Sequence, residues 1–264
     1  VVSLLTCASA LAQQTTGDIT GRVFDQQGKA VPGATVTAKN PDTGFTRAET
    51  SDSAGVYRLA ALPVGVFDIT AELTGFSTAS RKGVEVNVAQ THAIDFDLRV
   101  GPIEETVNVL GGAPLVSTTS SSVGQVVDLN RVQSLPLNGR QFASLAATVP
   151  GVGVGFSVDV TKGVTLAPQV NGGAGRNVNF VVDGGDNNDD TVGGLLQQVP
   201  LEAIQEFNFQ TQRFKAEHGR ANGGVMNIVT KSGTNLFSGS LFEFFRDRSM
   251  NAITETEKLG APLG

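Results

Sequence analysis

The densest run of chemistry-bearing side chains is Asp183-Gly184-Gly185-Asp186-Asn187-Asn188-Asp189-Asp190. Carboxylate and amide oxygens at this density suit a hard divalent cation, which collects several oxygen ligands. Read from Asp186 as a helix-flanked calcium loop, the pattern needs glycine at position 191 and glutamate at position 197. The chain has Thr191 and Gln197 there, so the ligand set fails and no metal is expected. The run reads more simply as a cluster of Asx turns, with Asp183, Asp186, Asn187, Asn188 and Asp189 as its candidate loop residues. His92 and His218 lie far apart without a neighbouring cysteine and form no zinc pattern. There is no Gly-x-Ser-x-Gly elbow. Gly151, Gly153 and Gly155 do not make a dinucleotide fingerprint, and no strand–helix unit surrounds them. No nucleophile–base pair can be named, so the chain reads as a non-enzyme with no catalytic residue and no cofactor.

A second group is basic. Arg213, Lys215, Arg220 and Lys231 flank two strand-like stretches that hold few adjacent acids. An unpaired charge is costly to bury, so these four are either solvated or matched by carboxylates elsewhere. They do not add up to a basic stripe. The net charge is −6, and nucleic acid is not an expected partner.

The elements that carry these residues are mostly strands. Gly is high at 32 and charged residues make up 17% of the chain, which favours turn-rich β structure. Between residues 17 and 99 seven short strands are expected, at 18–24, 34–38, 45–50, 56–59, 67–73, 84–88 and 94–98. Phe67, Ile69, Ala71 and Leu73 share one face, as do Val84, Val86 and Val88, and Ile94, Phe96 and Leu98. Segments 45–50 and 56–59 look like a hairpin about Asp52-Ser53-Ala54-Gly55. Strands at this spacing argue for an all-β sandwich.

Gly101-Pro102 marks a boundary, and 117–122 is a Ser/Thr-rich linker or loose strand. Asp128 is a candidate cap for a short helix at 129–134. Asn138 is a candidate cap for a second, in which Phe142, Leu145, Ala146 and Val149 form one apolar face. A strand is expected at 177–183, a helical turn at 201–204 and a buried strand at 225–230. Residues 206–212 alternate polar and aromatic, with Phe207 and Phe209 on one face, as in a half-buried strand. Residues 237–245 look like a further strand with aromatics on both faces.

Residues 1–12 are apolar and end in Ala10-Leu11-Ala12, which fits a signal-peptide remnant cleaved after Ala12. The lone Cys7 would leave with it. No apolar run approaches the ~18 residues of a membrane helix, which says nothing against a barrel.

Two resemblances go further. GRVFDQQGKAVPGATVT and SDSAGVYRLAALPVGVFDITAELTGF resemble the carboxypeptidase regulatory-like domain, which implies a transthyretin-like seven-stranded β-sandwich over 17–99. Related folds bind starch, a fold-level analogy only. Tyr57 is the one tyrosine and there is no tryptophan, so a spacer is favoured over a sugar-binding face. NVNFVVDGGDNND and EAIQEFNFQTQRFKAEHGRANGGVMNIVTKSGTN resemble the plug of TonB-dependent outer-membrane receptors. GSLFEFFRDRSMNA resembles the first barrel strand of that family's Oar-like branch.

The resemblance implies a mainly β chain in five parts: the signal remnant at 1–12, the sandwich at 17–99, a linker at 100–116, an α+β plug at 117–235 and the start of a barrel at 236–264. The barrel would continue beyond Gly264, which makes this the N-terminal fragment of an outer-membrane transporter. Ile103, Glu104, Glu105, Thr106, Val107, Asn108 and Val109 then resemble a TonB box, an extended segment that the TonB energy-coupling protein captures by strand addition. The same segment also reads as the last strand of the sandwich. Arg213, Lys215, Arg220 and Lys231 become candidates for contact with the barrel wall, and the Gly/Asn-rich loops of 172–190 are expected to depend on that wall. The transported ligand is open, saccharide and peptide among the options. The rival reading is a secreted or surface binding protein, carbohydrate-binding by fold analogy, without a barrel.

Overall fold

The structure is a computed structural model. It describes residues 15–101, 107–108, 123–127, 141–159, 163–173, 175–191, 193–214, 219–239, 241–243, 245 and 247. The chain divides into two compact units, Val1–Gly233 and Thr234–Gly264. The larger holds two β modules, each with its own core.

The first module contains β1 (Thr16–Asp25), β2 (Thr35–Lys39), β3 (Thr46–Thr50), β4 (Val56–Pro63), β5 (Gly65–Glu72), β6 (Ala79–Val86), β7 (Thr91–Ala93) and β8 (Phe96–Leu98). A short downstream strand, β9 (Val107–Asn108), joins it. One sheet has β1 between β4 and the β7/β8 pair, and the other runs β3-β2-β5-β6-β9. Period-two alternation places Phe67, Ile69 and Ala71 of β5 wholly inside, where they meet Ile19, Leu59, Val86 and Phe96. Asp68 and Thr70 between them are only half-buried.

Two expectations change here. Segments 45–50 and 56–59 are strands but not a hairpin. β3 pairs with β2 and β4 with β1, in opposite sheets. Asp52 explains the crossing, because its carboxylate accepts the amides of Ala54 and Val56 and turns the chain out of one sheet into the other. The seventh strand, expected at 94–98, is only β8, and β7 at Thr91–Ala93 precedes it unanticipated. β7 and β8 both run parallel to β1, at Thr20↔Ala93 and Val23↔Phe96, and the ladder breaks between them. There the Asp95 carboxylate accepts the Arg22 amide and the Ile94 carbonyl accepts the Tyr57 hydroxyl at 2.6 Å. Gly21 makes that approach feasible, since a Cβ there would stand 1.7 Å from the Ile94 carbonyl oxygen.

The second module contains β10 (Val123–Val127), β11 (Val152–Asp159), β12 (Gly163–Val170), β13 (Val178–Val182), β14 (Gly185–Asp186), β15 (Ile204–Gln212) and β16 (Gly224–Thr230). Five of these form a mixed sheet in the order β10-β15-β16-β13-β14, with β13 parallel to β16. β11 and β12 form a separate antiparallel hairpin that the sequence reading missed. Phe142–Thr148 is a 3-10 helix with Gln141 at its N-cap and no side-chain cap, so neither the α-helical period nor the Asn138 cap holds. Its apolar face is nevertheless as expected, with Phe142, Leu145 and Ala146 buried against Phe180, Phe207 and Ile228. The expected turn at 201–204 is the 3-10 segment Leu201–Ala203.

In the smaller unit the expected strand at 237–245 is absent among the described residues. Leu236, Phe237, Leu241, Phe242 and Phe245 are exposed. A strand needs a neighbour to take its backbone hydrogen bonds, and none of the described residues supplies one.

Candidate functional site

The Asx-rich run folds into a cross-braced loop at the end of β13. Asp183 takes a left-handed conformation. Its carboxylate accepts both the amide and the hydroxyl of Thr230, at 2.8 and 2.7 Å, tying the ends of β13 and β16 together. Asn187 is buried, donates to the Gln197 carbonyl at 2.9 Å and accepts the Gln197 amide at 3.0 Å. Asn188 accepts the Phe180 amide and donates to Asn179. Asp189 accepts the Thr191 amide. Asp186 accepts the Asn188 amide on one oxygen and Arg220 on the other. The loop was expected to need an outside wall, yet it satisfies much of its polar surface itself.

Arg220 is part of the same bracing. Arg220 finds two acids within the chain: Asp186 at 2.6 Å and Asp190. The sequence hid this pairing because the partners lie 34 and 30 residues away. Arg213 and Lys231 are exposed, and Lys215 lies outside the described residues. So do Ala12, Ile103, Glu104, Glu105, Thr106 and Val109. Val107 and Asn108 form β9, which runs parallel to β6 through Ala79↔Val107 and Ser80↔Asn108. For these two residues the sandwich-strand reading describes the fold.

A second site was not anticipated. β15 puts Phe207 and Phe209 into the core, as expected, but its other face is buried as well. Glu206, Asn208 and Gln210 are each 5% exposed or less. Part of the cover is the turn 87–90 of the first module. Oε1 of Glu206 accepts the Val88 amide at 2.7 Å, and Oε2 accepts Nδ2 of Asn87 at 3.4 Å. Nδ2 of Asn208 donates to the Val88 carbonyl at 2.7 Å. One residue of the sandwich is thus held at both its N–H and its C=O by side chains of the second sheet. Burial pushes the Glu206 carboxyl up to about 7, against the Val88 and Asn87 hydrogen bonds, which pull it down. On β16, Asn227 stands opposite Asn208 in register. The Asn227 side-chain amide and Oε1 of Gln210 are buried without a partner among the described residues. The signal for this seam was present: Glu, Asn and Gln alternate with aromatics, and Asn is disfavoured in strands unless something specific holds it.

Comparison with known proteins places these modules. Residues 18–99 match the carboxypeptidase regulatory-like domain family. Over 249 residues, 90% of its length, the chain is 31% identical to the TonB-dependent transporter Oar of Myxococcus xanthus. It spans 22% of that relative. The similarity to that transporter therefore crosses both modules. Solved structures resemble only parts of it. Catechol 1,2-dioxygenase from Pseudomonas arvilla aligns with 35% of this chain and 55% of its own, at a TM-score of 0.28 and 14% identity. The major pilin subunit of Bacillus cereus aligns with 33% of this chain and 31% of its own, at 0.27 and 19%. Scores this low carry no functional argument.

Proposed function

We propose that this chain is the N-terminal periplasmic and plug portion of a TonB-dependent outer-membrane transporter of the Oar-like branch, gating energy-coupled uptake. The observation that carries the reading is one similarity to a transporter that runs through the sandwich, the linker and the second sheet. In this reading the sandwich projects into the periplasm, the second module is the plug, and the barrel follows in the complete receptor. A spanning structure in lipid must satisfy every backbone group internally, which a closed barrel does. The TonB protein would engage the segment 103–109. Its described part, β9, is already extended at a sheet edge, the conformation that strand addition requires.

The test uses the complete receptor. It should fractionate with the outer membrane and be captured by the TonB C-terminal domain. Val107→Pro removes an amide donor and fixes φ, so capture should drop at least tenfold while the outer-membrane level is unchanged. Secretion of the protein without capture by TonB would sink the proposal in favour of a binding protein. If Val107→Pro instead unfolds the first module, the segment is a structural strand and the coupling site lies elsewhere.

A further inference from the structure

The grip on Val88 is a built arrangement. On the sandwich side the turn is tied down by its own backbone. The Ala89 amide donates to the Thr16 carbonyl, Gln90 to Asn87, and Asp18 to the Gln90 carbonyl. Ala89 adopts a left-handed conformation, with φ of 56°. The turn therefore holds a fixed shape that leaves the Val88 N–H and C=O to face Glu206 and Asn208. Val88 is fully buried yet belongs to neither module's apolar core. It is covered because the two modules meet there.

What is unusual is the choice of a carboxyl for this position. Glu206 is 3% exposed, and among the described residues no cation pairs with it. One amide and one longer side-chain bond are thin compensation for a buried anion. Asn208, at the carbonyl of the same residue, makes an equivalent contact with no ionisable group. We infer that the turn 87–90 and the Glu206–Asn208 pair form a proton-controlled latch between the sandwich and the second sheet, closed when Glu206 is protonated and loosened when it ionises. The inference does not rest on the transport reading, since it needs only the two modules and their contact.

The surroundings support the direction. The charge that acts on Glu206 is Glu85 at the end of β6, a like charge that opposes ionisation. Glu85 also acts on His92 of β7, whose imidazole burial holds below its usual range. The turn itself contributes only the neutral Asn87 and Gln90. On the second sheet, Val229 of β16 lies opposite Glu206 in register, and Lys231 just beyond it is exposed. The closed state binds its proton up to about 7, whereas an open, solvated Glu206 would release it near 4.5. Between those values the closed state holds more protons than the open one, so acid favours closure and rising pH opposes it. Above about 7 both states are ionised and the loosening is complete. Over the window the docking equilibrium should change on the order of a hundredfold.

Hydrogen exchange of the complete chain reads this directly at Val88, whose amide is the bonded donor. Glu206→Gln keeps the shape and an oxygen to accept the Val88 amide, gives up only the longer bond from Asn87, and cannot ionise. Comparing the two proteins at one pH removes the intrinsic pH dependence of exchange. At pH 8 the Val88 amide should exchange at least tenfold faster in the wild type than in Glu206→Gln. At pH 4.5 the two should agree. Asn208→Ala, which removes the other grip, should speed exchange at both pH values. The Val84 and Val86 amides inside the sandwich should not respond to any of these changes. Equal rates at pH 8 would overturn the latch, and so would slower exchange in the wild type, which would mean the carboxylate is the better clamp. A parallel change at Val84 and Val86 would also overturn it, by showing loosening of the whole sandwich.

Discussion

At the scale of single residues, the first module turns on the meeting of Gly21, Tyr57 and Ile94. The Tyr57 hydroxyl is buried, bonded to the Ile94 carbonyl, and held above its ordinary pKa by desolvation. Its ring packs on Phe96 at 6.2 Å. Tyr57→Phe keeps the ring and leaves a buried carbonyl without this donor, so it should cost about 1–3 kcal/mol, read as a lower denaturant midpoint at unchanged m-value. Gly21→Ala is a harsher test. The new methyl would collide with the Ile94 carbonyl, and neither β1 nor β7 can retreat without losing its ladder. Loss of more than about 4 kcal/mol is expected. A stable Gly21→Ala protein would show that the β1–β7 pairing is wrong. In the second module, Asn187→Ala breaks the two-way bond with Gln197 and should cost about 1–3 kcal/mol. Its signature would be faster exchange of the Gln197 amide.

At the scale of elements, the sandwich has a complete core and should fold by itself. Residues 15–101 alone should give a β-type circular dichroism spectrum and one cooperative thermal transition. A non-cooperative melt would mean the sandwich needs the second sheet. Its strands were legible in the sequence because each buries one face, and alternation such as Phe67-Asp68-Ile69-Thr70-Ala71 follows directly from the pleat. Strand pairing was not legible. Asp52 looked like a hairpin turn, but turn residues say that the chain bends and not which sheet it enters. The β11–β12 hairpin escaped notice because Gly153, Gly155 and Pro168 interrupt its pattern. The apolar face of Phe142–Thr148 was visible, whereas its tighter 3-10 winding was not, since Phe142, Leu145 and Ala146 suit either period. The candidate loop was found by its composition. Its partners Arg220, Gln197 and Thr230 come from distant positions that only the fold assembles.

At the scale of the whole molecule, the polar seam on β15 was the largest surprise, because alternation predicted one wet face. The face is dry partly because another module covers it, and nothing in a local window announces that. The order β10-β15-β16-β13-β14 has one further consequence, and it is mechanical. Among the described residues β10 lies at the outer edge, held by β15 alone, and along the sequence it is the next described strand after β9. A pull arriving from the segment before it enters the sheet at Val123, the end of the ladder paired with Gln212. Load applied at one end of an edge strand falls on one hydrogen bond at a time and not on all of them together. β10 should therefore peel away at low force while β15, β16 and β13 stay seated. A tensile load on this chain would open the sheet at its margin first, and only a larger one would reach the strand that carries Glu206.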